Sequence, residues 1–235
     1  ILTQLEPKIT HHTLRVILLG GEFIPMALIE ACEKKSMPIN KTYGMTETFS
    51  QSVTFSVLDY PHKRDSVGKP LPGMQVRIDN PDADGVGEIH LTGPMVMTGY
   101  IDKEPIDSDL NSDDIGYVDE DGFVYILNRR KDLIISGGEN IYPTEVEQVL
   151  QAITGIKAAA VVGEPDAQWG AVPVAYVISD QEITLAQIQD QCSRKLAKYK
   201  RPKRIYFCHS FPQTASGKIA KHRFMTEERE AFLIR

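Results

Sequence analysis

Residues 15–50 read RVILLGGEFIPMALIEACEKKSMPINKTYGMTETFS, and the way this stretch divides decides the fold. Arg15 to Leu19 is a short run of β-branched and leucine residues ended by Gly20-Gly21, the pattern of a buried strand feeding a turn. Pro25 is placed to open a helix in which Leu28, Ile29 and Cys32 share one face, and KKSMP stops it. INKTY then reads as a second strand. Residues 14–43 are therefore expected to form a β-α-β unit, whose crossover implies a parallel sheet. Ligands bind at the carboxyl ends of such strands, and both GGEF and YGMTET fall there.

Working outward, residues 66–128 change character to short apolar runs separated by Gly, Pro, Asn and Asp: MQVRI, GEIHL, VMTGY and IGYVDEDGFVYIL. Asp121-Gly122 between two apolar runs is a hairpin signal, so this part is expected to be a small antiparallel sheet or barrel. RRKDLIISGG at residues 129–138 is a plausible domain boundary. Beyond it, Pro143 starts a helix with Val146, Val149, Leu150 and Ile153 on one face. AAAVVG and VPVAYVI read as strands. Thr184 and Gln187 form a capping box for a helix with Leu185, Ile188, Cys192 and Leu196 facing inward. RIYFC is a last strand, and Lys221 to Arg229 a last helix. The tail is thus expected to be an α+β domain.

Composition narrows the function classes. The chain has 235 residues, 42% hydrophobic and 25% charged, with a net charge of -6. An acidic balance argues against nonspecific nucleic-acid binding. No run of eighteen apolar residues occurs, so no membrane span is expected. Cys32, Cys192 and Cys208 are odd in number and widely spaced, which fits reduced thiols of a cytoplasmic protein better than a disulfide framework or zinc site. The opening ILTQLEPKITHHTLRVILLGGE has no initiator Met and no secretory leader pattern, and reads like the middle of a larger protein.

Three stretches could carry chemistry. NKTYGMTETFSQ, residues 40–51, presents an aromatic face, a glycine turn, two threonine hydroxyls and a carboxylate, a set able to stack a base, bond a phosphate and hold a hard cation. The plainer alternative is a polar turn with Thr46 as N-cap. GGEF resembles the turn of diguanylate cyclases, but a single Glu22 ahead of Pro25 lacks their second acid. QTASGKIAKHRF, residues 213–224, contains Ser-Gly-Lys, yet Pro212 occupies the first glycine's place of a phosphate loop and Ile219 follows the lysine. Lys218 must therefore reach a phosphate in another way or be a solvated loop charge.

Taken together, LLGGEF, YGMTET, SVGKPLPGMQVRI, GEIHLTGPMVMTGY, DIGYVDEDGF, RRKDLIISGGENIYPTEVE, PDAQWGAVPVAYV, LAKYKRPKRIYF and FPQTASGKI, in this order, resemble the adenylate-forming superfamily of acyl- and aryl-CoA synthetases, peptide-synthetase adenylation domains and luciferases. The resemblance implies an α/β part with a small β-barrel subdomain followed by a mobile α+β C-terminal domain, as a fragment of a larger enzyme. The boundaries implied are 1–65 for the end of the large N-terminal subdomain, 66–129 for the barrel, 130–131 for a hinge, and 132–235 for the mobile domain. Tyr43 matches the aromatic that stacks on adenine, with Gly44 in the same loop; Thr46 matches the hydroxyl on the α-phosphate and Glu47 the Mg²⁺ ligand. Asp114 matches the acid that bonds the ribose hydroxyls, Arg129 the arginine after it, and Lys131 the hinge. Gly20 and Gly21 match the glycines lining the acyl pocket. Lys218 matches the lysine carried to the substrate carboxylate and the α-phosphate of ATP, where a mobile cation neutralises both anions.

For the thioester step the resemblance places Gly138 of SGGEN near the pantetheine channel. Arg201 and Lys203, within a run of six basic residues from Lys195 to Arg204, are expected at the CoA phosphates, with Trp169 and Tyr199 as platforms for its adenine. ATP, Mg²⁺ and CoA are the implied cofactors, a small carboxylic acid is the partner, and a homodimer is admitted. Two departures stand out: Ser112-Asp113-Asp114 replaces the usual Thr-Gly-Asp, putting extra charge beside the ribose site, and Asn128 precedes Arg129. The family's Ser/Thr/Gly-rich phosphate loop is absent from this chain, which alone is expected to be inactive. Within the superfamily, YGMTETFSQSVT, SVGKPLPG and NRRKDLIISGGENIYP most resemble the o-succinylbenzoate-CoA ligases of bacterial menaquinone synthesis, which implies a substrate role for Ser50 and Gln51. The alternatives are a general fatty or aryl acyl-CoA synthetase, an adenylation domain that loads a carrier protein, and an inactive nucleotide- or CoA-binding module.

Overall fold

The computed structural model describes residues 13–21, 24, 26–106, 109–214 and 217–233. The chain divides into two compact units, Ile1–Ile126 and Leu127–Arg235. In the first, β1 (Ile17–Leu19) pairs in parallel with β2 (Ile39–Tyr43), Ile17 opposite Ile39, and α1 (Met26–Lys34) connects them. The proposed opening of that helix at Pro25, like Glu22, lies outside the described residues. Ile29 and Cys32 of α1 are buried and Leu28 packs beside them, as the spacing implied. The helix stops because Ser36 turns left-handed (φ 51°), which lets the Met37 N–H bond the Cys32 carbonyl at 3.0 Å and the Ser36 N–H the Glu33 carbonyl at 2.8 Å.

β3 (Val53–Ser56) pairs antiparallel with β2, and β4 (Lys69–Pro70) with β3, so this sheet has the order β1-β2-β3-β4. The first strand is shorter and less buried than its sequence suggests. Among the described residues β1 ends the strand order, and Leu18 is 47% exposed. A second sheet, β5 (Gln75–Asp79), β6 (Gly87–Thr92), β7 (Asp109–Val118) and β8 (Val124–Arg129), follows in simple sequence order. It is an open four-stranded sheet with β5 and β8 at its edges, not a closed barrel, and VMTGY is irregular backbone instead of a strand. The Asp121-Gly122 signal is a true hairpin. Gly122 takes φ 81°, Asp119 and Phe123 close the loop at 2.9 Å, and the Asp119 carboxylate accepts the Asp121 and Phe123 N–H groups. Phe123 joins Ile29, Ile39, Phe55 and Val57 in one core; Val53, Met74, Ile89, Leu91 and Val124 form the other.

The second unit is built on β9 (Ile134–Ser136), β10 (Glu139–Ile141), β11 (Ile156–Asp166), β12 (Gly170–Ser179) and β13 (Arg204–Phe207). The order is β10-β9-β12-β11, and β13 pairs in parallel with β12. Alternation along β12 divides its side chains between two cores. Ala175 and Val177 meet Val146 and Leu150 of α2 (Pro143–Gln151) and Ile188 and Cys192 of α3 (Leu185–Lys195), while Val174 and Tyr176 meet Ala160, Val162, Cys208 and Phe224. Pro143 sits in the first turn of α2, and the capping box is present: the Gln187 N–H donates to Thr184 Oγ1 at 3.3 Å and the Thr184 N–H to Gln187 Oε1 at 2.8 Å. Leu185 does not face inward; it lies in the first turn and is half exposed. The expected last helix is instead two 3-10 segments, Lys221–Met225 and Glu227–Ala231, broken where Thr226 is extended and its hydroxyl donates to the Arg223 carbonyl. The break follows Phe224, which is fully buried and stacks on Tyr176 with ring centroids 4.3 Å apart.

Candidate functional site

The carboxyl ends of β1 and β2 open onto a pocket of about 280 Å³ lined by Leu18, Gly20, Gly21, Thr42, Gly44, Ser50 and Gln51. All four residues expected at the acyl substrate are thus brought together. Glycine is dictated at two of the lining positions by space. A Cβ on Gly44 would stand 1.9 Å from the Ser50 carbonyl oxygen, and one on Gly20 would stand 2.7 Å from the Thr42 oxygen. After Gly44 the chain makes a 3-10 turn, Thr46–Thr48, for which Met45 and not Thr46 is the N-cap. Thr48 points inward: its Oγ1 accepts from the Met45 N–H at 3.2 Å and from Ser52 Oγ at 2.7 Å. With Thr48 turned in, Thr46 is exposed and Glu47 is half-buried. Phe49 and Ser50 follow at φ 55° and 97°, and Phe49 is 85% exposed. Such angles cost bulky residues free energy, and here the Gly44 packing and the Thr48 bonds fix them.

Tyr43 closes β2 and donates to Asp114 Oδ2 at 2.6 Å, joining the two residues expected at adenine and ribose. A bulge brings Asp114 there. Glu88 of β6 opposes Ile115, and His90 opposes Asn111, so Ile89 alone faces Ser112, Asp113 and Asp114. Asp113 absorbs the excess in the left-handed region (φ 58°), Asn111 Oδ1 accepts its N–H at 2.9 Å, and Asp114 is buried. The unusual Asp113 therefore stands exposed on the bulge while Asp114 turns in. It occupies a conformation that asparagine, aspartate and glycine reach most easily.

Glu47 is held at two points: its carbonyl accepts the Met97 N–H at 2.8 Å, and Oε1 accepts the Tyr100 hydroxyl at 2.8 Å. That bond to Glu47, with burial and nearby Asp113, raises the pKa of Tyr100, so the phenol remains a donor. No group of three or more His, Cys, Asp or Glu able to hold a metal ion occurs among the described residues. One carboxylate beside a threonine hydroxyl nevertheless suits Mg²⁺, which usually takes one or two protein carboxylates and completes its shell with water and substrate phosphates. In β2, Lys41 is only 6% exposed; its ammonium donates to the Arg64 carbonyl at 2.7 Å, and burial lowers its pKa to about 8.

In the second unit Lys218 lies exposed on a tight hairpin. Gln213 and Ile219 bridge, the Thr214 N–H donates to the Lys218 carbonyl at 2.8 Å, the Lys218 N–H donates to Thr214 Oγ1 at 3.2 Å, and Gly217 takes φ 86°. Ser216, expected to shape this turn with Gly217, lies outside the described residues. Gly137 and Gly138, at φ 60° and 90°, make the turn between β9 and β10. A Cβ on Gly137 would strike the Trp169 indole at 2.6 Å, whereas one on Gly138 would meet nothing within 4 Å. Trp169 stays 45% exposed, and its carbonyl accepts the Gly137 N–H at 2.8 Å. Tyr199 is exposed in the 3-10 turn Lys198–Lys200, beside Lys200, which is paired with Glu145 at 2.7 Å.

Arg201 has a structural use: Nε donates to the Leu196 carbonyl at 3.0 Å and an Nη to the Ser193 carbonyl at 3.1 Å, capping the carboxyl end of α3. Lys203 is exposed. Arg129 and Lys131 are exposed at the end of β8 and in the 3-10 turn Arg130–Asp132, and buried Asn128 donates to the Arg129 carbonyl at 2.9 Å. Sequence reasoning passed over Tyr100 and Gly137. Each stood inside a quoted motif, but nothing local to either reveals the partner 53 residues from Tyr100 or the indole on Gly137.

The sequence matches the AMP-binding enzyme family over residues 2–101 and the AMP-binding enzyme C-terminal domain over residues 145–218. A 2-succinylbenzoate–CoA ligase of Enterococcus faecalis is 65% identical over 230 residues, with 93% of this chain and 47% of that protein covered. One from Lactococcus lactis is 51% identical over 221 residues, covering 94% of this chain and 49% of the relative. The chain spans about half the length of the curated relatives it matches. Among solved structures, o-succinylbenzoate CoA synthetase from Bacillus subtilis with the acyl-adenylate intermediate superposes at a TM-score of 0.85 and 40% identity, covering 90% of this chain and 46% of that one. The same enzyme with ATP and magnesium ion gives 0.82 and 40%, with 89% and 46% covered.

Proposed function

The chain belongs to the AMP-binding, adenylate-forming enzyme family, and on that premise we propose that it is part of an AMP-forming acid-CoA ligase that activates o-succinylbenzoate. The observation that carries the reading is the convergence, at the carboxyl ends of β1 and β2, of a glycine-lined pocket with Tyr43, Asp114, Thr46 and Glu47. The first half-reaction joins a carboxylate oxygen of the acid to the α-phosphorus of ATP and expels pyrophosphate. In the second, the CoA thiol sulfur attacks the acyl carbon and AMP leaves with the electron pair of the broken bond.

Each residue has a task in this reading. Tyr43 offers its ring to adenine while its hydroxyl orients Asp114 toward the ribose hydroxyls; Thr46 meets the α-phosphate. Glu47 would ligate Mg²⁺, which supplies charge neutralisation at the phosphates. Lys218 provides the cation for two anions that must approach one another, and its exposed hairpin leaves the ammonium ready to do so. Residues 130–131 serve as the hinge between 1–129 and the domain 132–235. Gly138, Trp169, Tyr199, Arg201 and Lys203 serve CoA, and Arg201 also fixes the end of α3. Three buried free cysteines support a cytoplasmic setting, and no helix among the described residues is long and apolar enough to cross a membrane.

The substrate assignment is supported by the shared name of the relatives and by the polar Ser50 and Gln51 in the pocket wall. A second carboxylate needs such partners, and a site built for it rejects simple acids. The test is pyrophosphate release by the full-length protein with o-succinylbenzoate, benzoate, octanoate and acetate. The first should turn over far faster, and Ser50→Ala or Gln51→Ala should raise its KM more than that of a monocarboxylate. Equal turnover of octanoate or benzoate sinks the specific assignment.

A further inference from the structure

Tyr100 has no part in the chemistry above, yet its hydroxyl donates to Glu47 Oε1 at 2.8 Å while the Met97 N–H holds the Glu47 carbonyl at 2.8 Å. Residues 97–100 thus grip one side chain and its backbone together. Packing does not require this. Tyr100 is half exposed, and its ring borders an open depression of about 340 Å³ with Thr98, Gly99, Ile101, Lys103 and Pro105. An untethered carboxylate on a turn samples several rotamers, and ordering it costs free energy at the moment of binding. With Oε1 engaged, the orientation of Oε2 is set beforehand.

We infer that Tyr100 is a positioning residue: its phenol fixes the Glu47 carboxylate so that the second oxygen meets the divalent cation that accompanies ATP. Mg²⁺ demands near-ideal octahedral geometry, so a ligand aimed in advance matters more to it than to a tolerant cation. The inference rests on the reading of Glu47 as the cation ligand.

The test uses the full-length protein, a non-hydrolysable ATP analogue and Mn²⁺ followed by electron paramagnetic resonance. Tyr100→Phe keeps the ring and its contact with Lys103, whose ammonium lies 5.3 Å from the ring centroid, and removes only the hydroxyl. Without the hydroxyl, the Glu47 side chain regains rotamer freedom that must be lost on binding, which should weaken Mn²⁺ binding about tenfold. Affinity for the analogue in EDTA should not change, and turnover at saturating Mg²⁺ should stay near that of the parent, so that the loss appears in the metal requirement. Glu47→Gln is the control. If it weakens Mn²⁺ binding and Tyr100→Phe does not, the positioning role is wrong and the ligand reading survives. If neither does, both fail. If Tyr100→Phe weakens metal-free nucleotide binding by the same factor, the hydroxyl merely supports the fold and the inference is overturned.

Discussion

The loop at residues 43–51 and the hairpin at residues 213–219 each carry residues proposed for the same first step, and they are built in opposite ways. The loop is over-determined: Gly44 is pressed against the Ser50 carbonyl, Thr48 and Ser52 are buried and bonded to each other, and Phe49 and Ser50 are held at positive φ. The hairpin is held at its base by a bridge and a few backbone bonds, and a Cβ on Gly217 would meet nothing within 4 Å. Two lysines differ likewise, Lys41 buried in β2, the strand that leads into the loop, and Lys218 exposed on the hairpin. A surface that receives a nucleotide gains from being fixed in advance, because no binding energy is then spent on arranging it. A cation that must be delivered gains from an open setting.

The contrast can be broken most decisively at Gly44. Gly44→Ala puts a methyl group into a backbone carbonyl, so the loop must open, and denaturant unfolding of the full-length protein should show a loss of about 3 kcal/mol or more. A loss below about 1 kcal/mol, the scale of ordinary surface changes, would mean that the loop is no more constrained than the hairpin.

The second test is a pH series on Lys41. Its folded pKa of about 8 lies below the ordinary 10.5, so between these values the unfolded chain keeps a proton that the folded one has released. Stability should therefore rise with pH across that window and be flat below it, by on the order of 3 kcal/mol in total relative to Lys41→Met, which has no proton to lose. A constant difference between the two proteins from pH 7.5 to 10.5 would show that the lysine bears no burial cost.

Lys218→Ala should lower adenylate formation about 10²-fold, which is about 2.7 kcal/mol of transition-state stabilisation, and leave unfolding unchanged. Thioester formation from supplied acyl adenylate should be nearly unaffected. Equal losses in both steps would remove the lysine from its assigned role. The smallest effect is expected at Gly217→Ala, where the strain of φ 86° is the only penalty, about 1 kcal/mol. A loss matching that of Gly44→Ala would erase the distinction between the two turns.

The parts of the fold legible beforehand were those fixed by local rules. The β-α-β unit, the Asp121-Gly122 hairpin, the proline start of α2 and the Thr184 capping box all depend on residues within a few positions of one another. The misreadings depend on distant partners. Lys221 to Arg229 have helical composition, but the chain is broken after Phe224, where that ring stacks on a tyrosine 48 residues away in sequence. In the candidate site, residue types and order pointed to the chemistry, while the bond from Tyr43 to Asp114 spans 71 positions and depends on a bulge that no pattern of single residues announces. Arg201 shows what a basic run does not announce: two of its guanidinium donors bond the end of α3.

Trp169 is the only tryptophan in the sequence, and its indole lies over Gly137 in the turn between β9 and β10 while remaining partly open to solvent. Intrinsic emission excited at the red edge of protein absorbance therefore comes from one place in this chain. A ligand that orders or displaces the double-glycine turn alters the polarity around that indole directly. The sequence thus carries a built-in optical label for the turn at Gly137-Gly138, and stopped-flow fluorescence can time events there without any added dye.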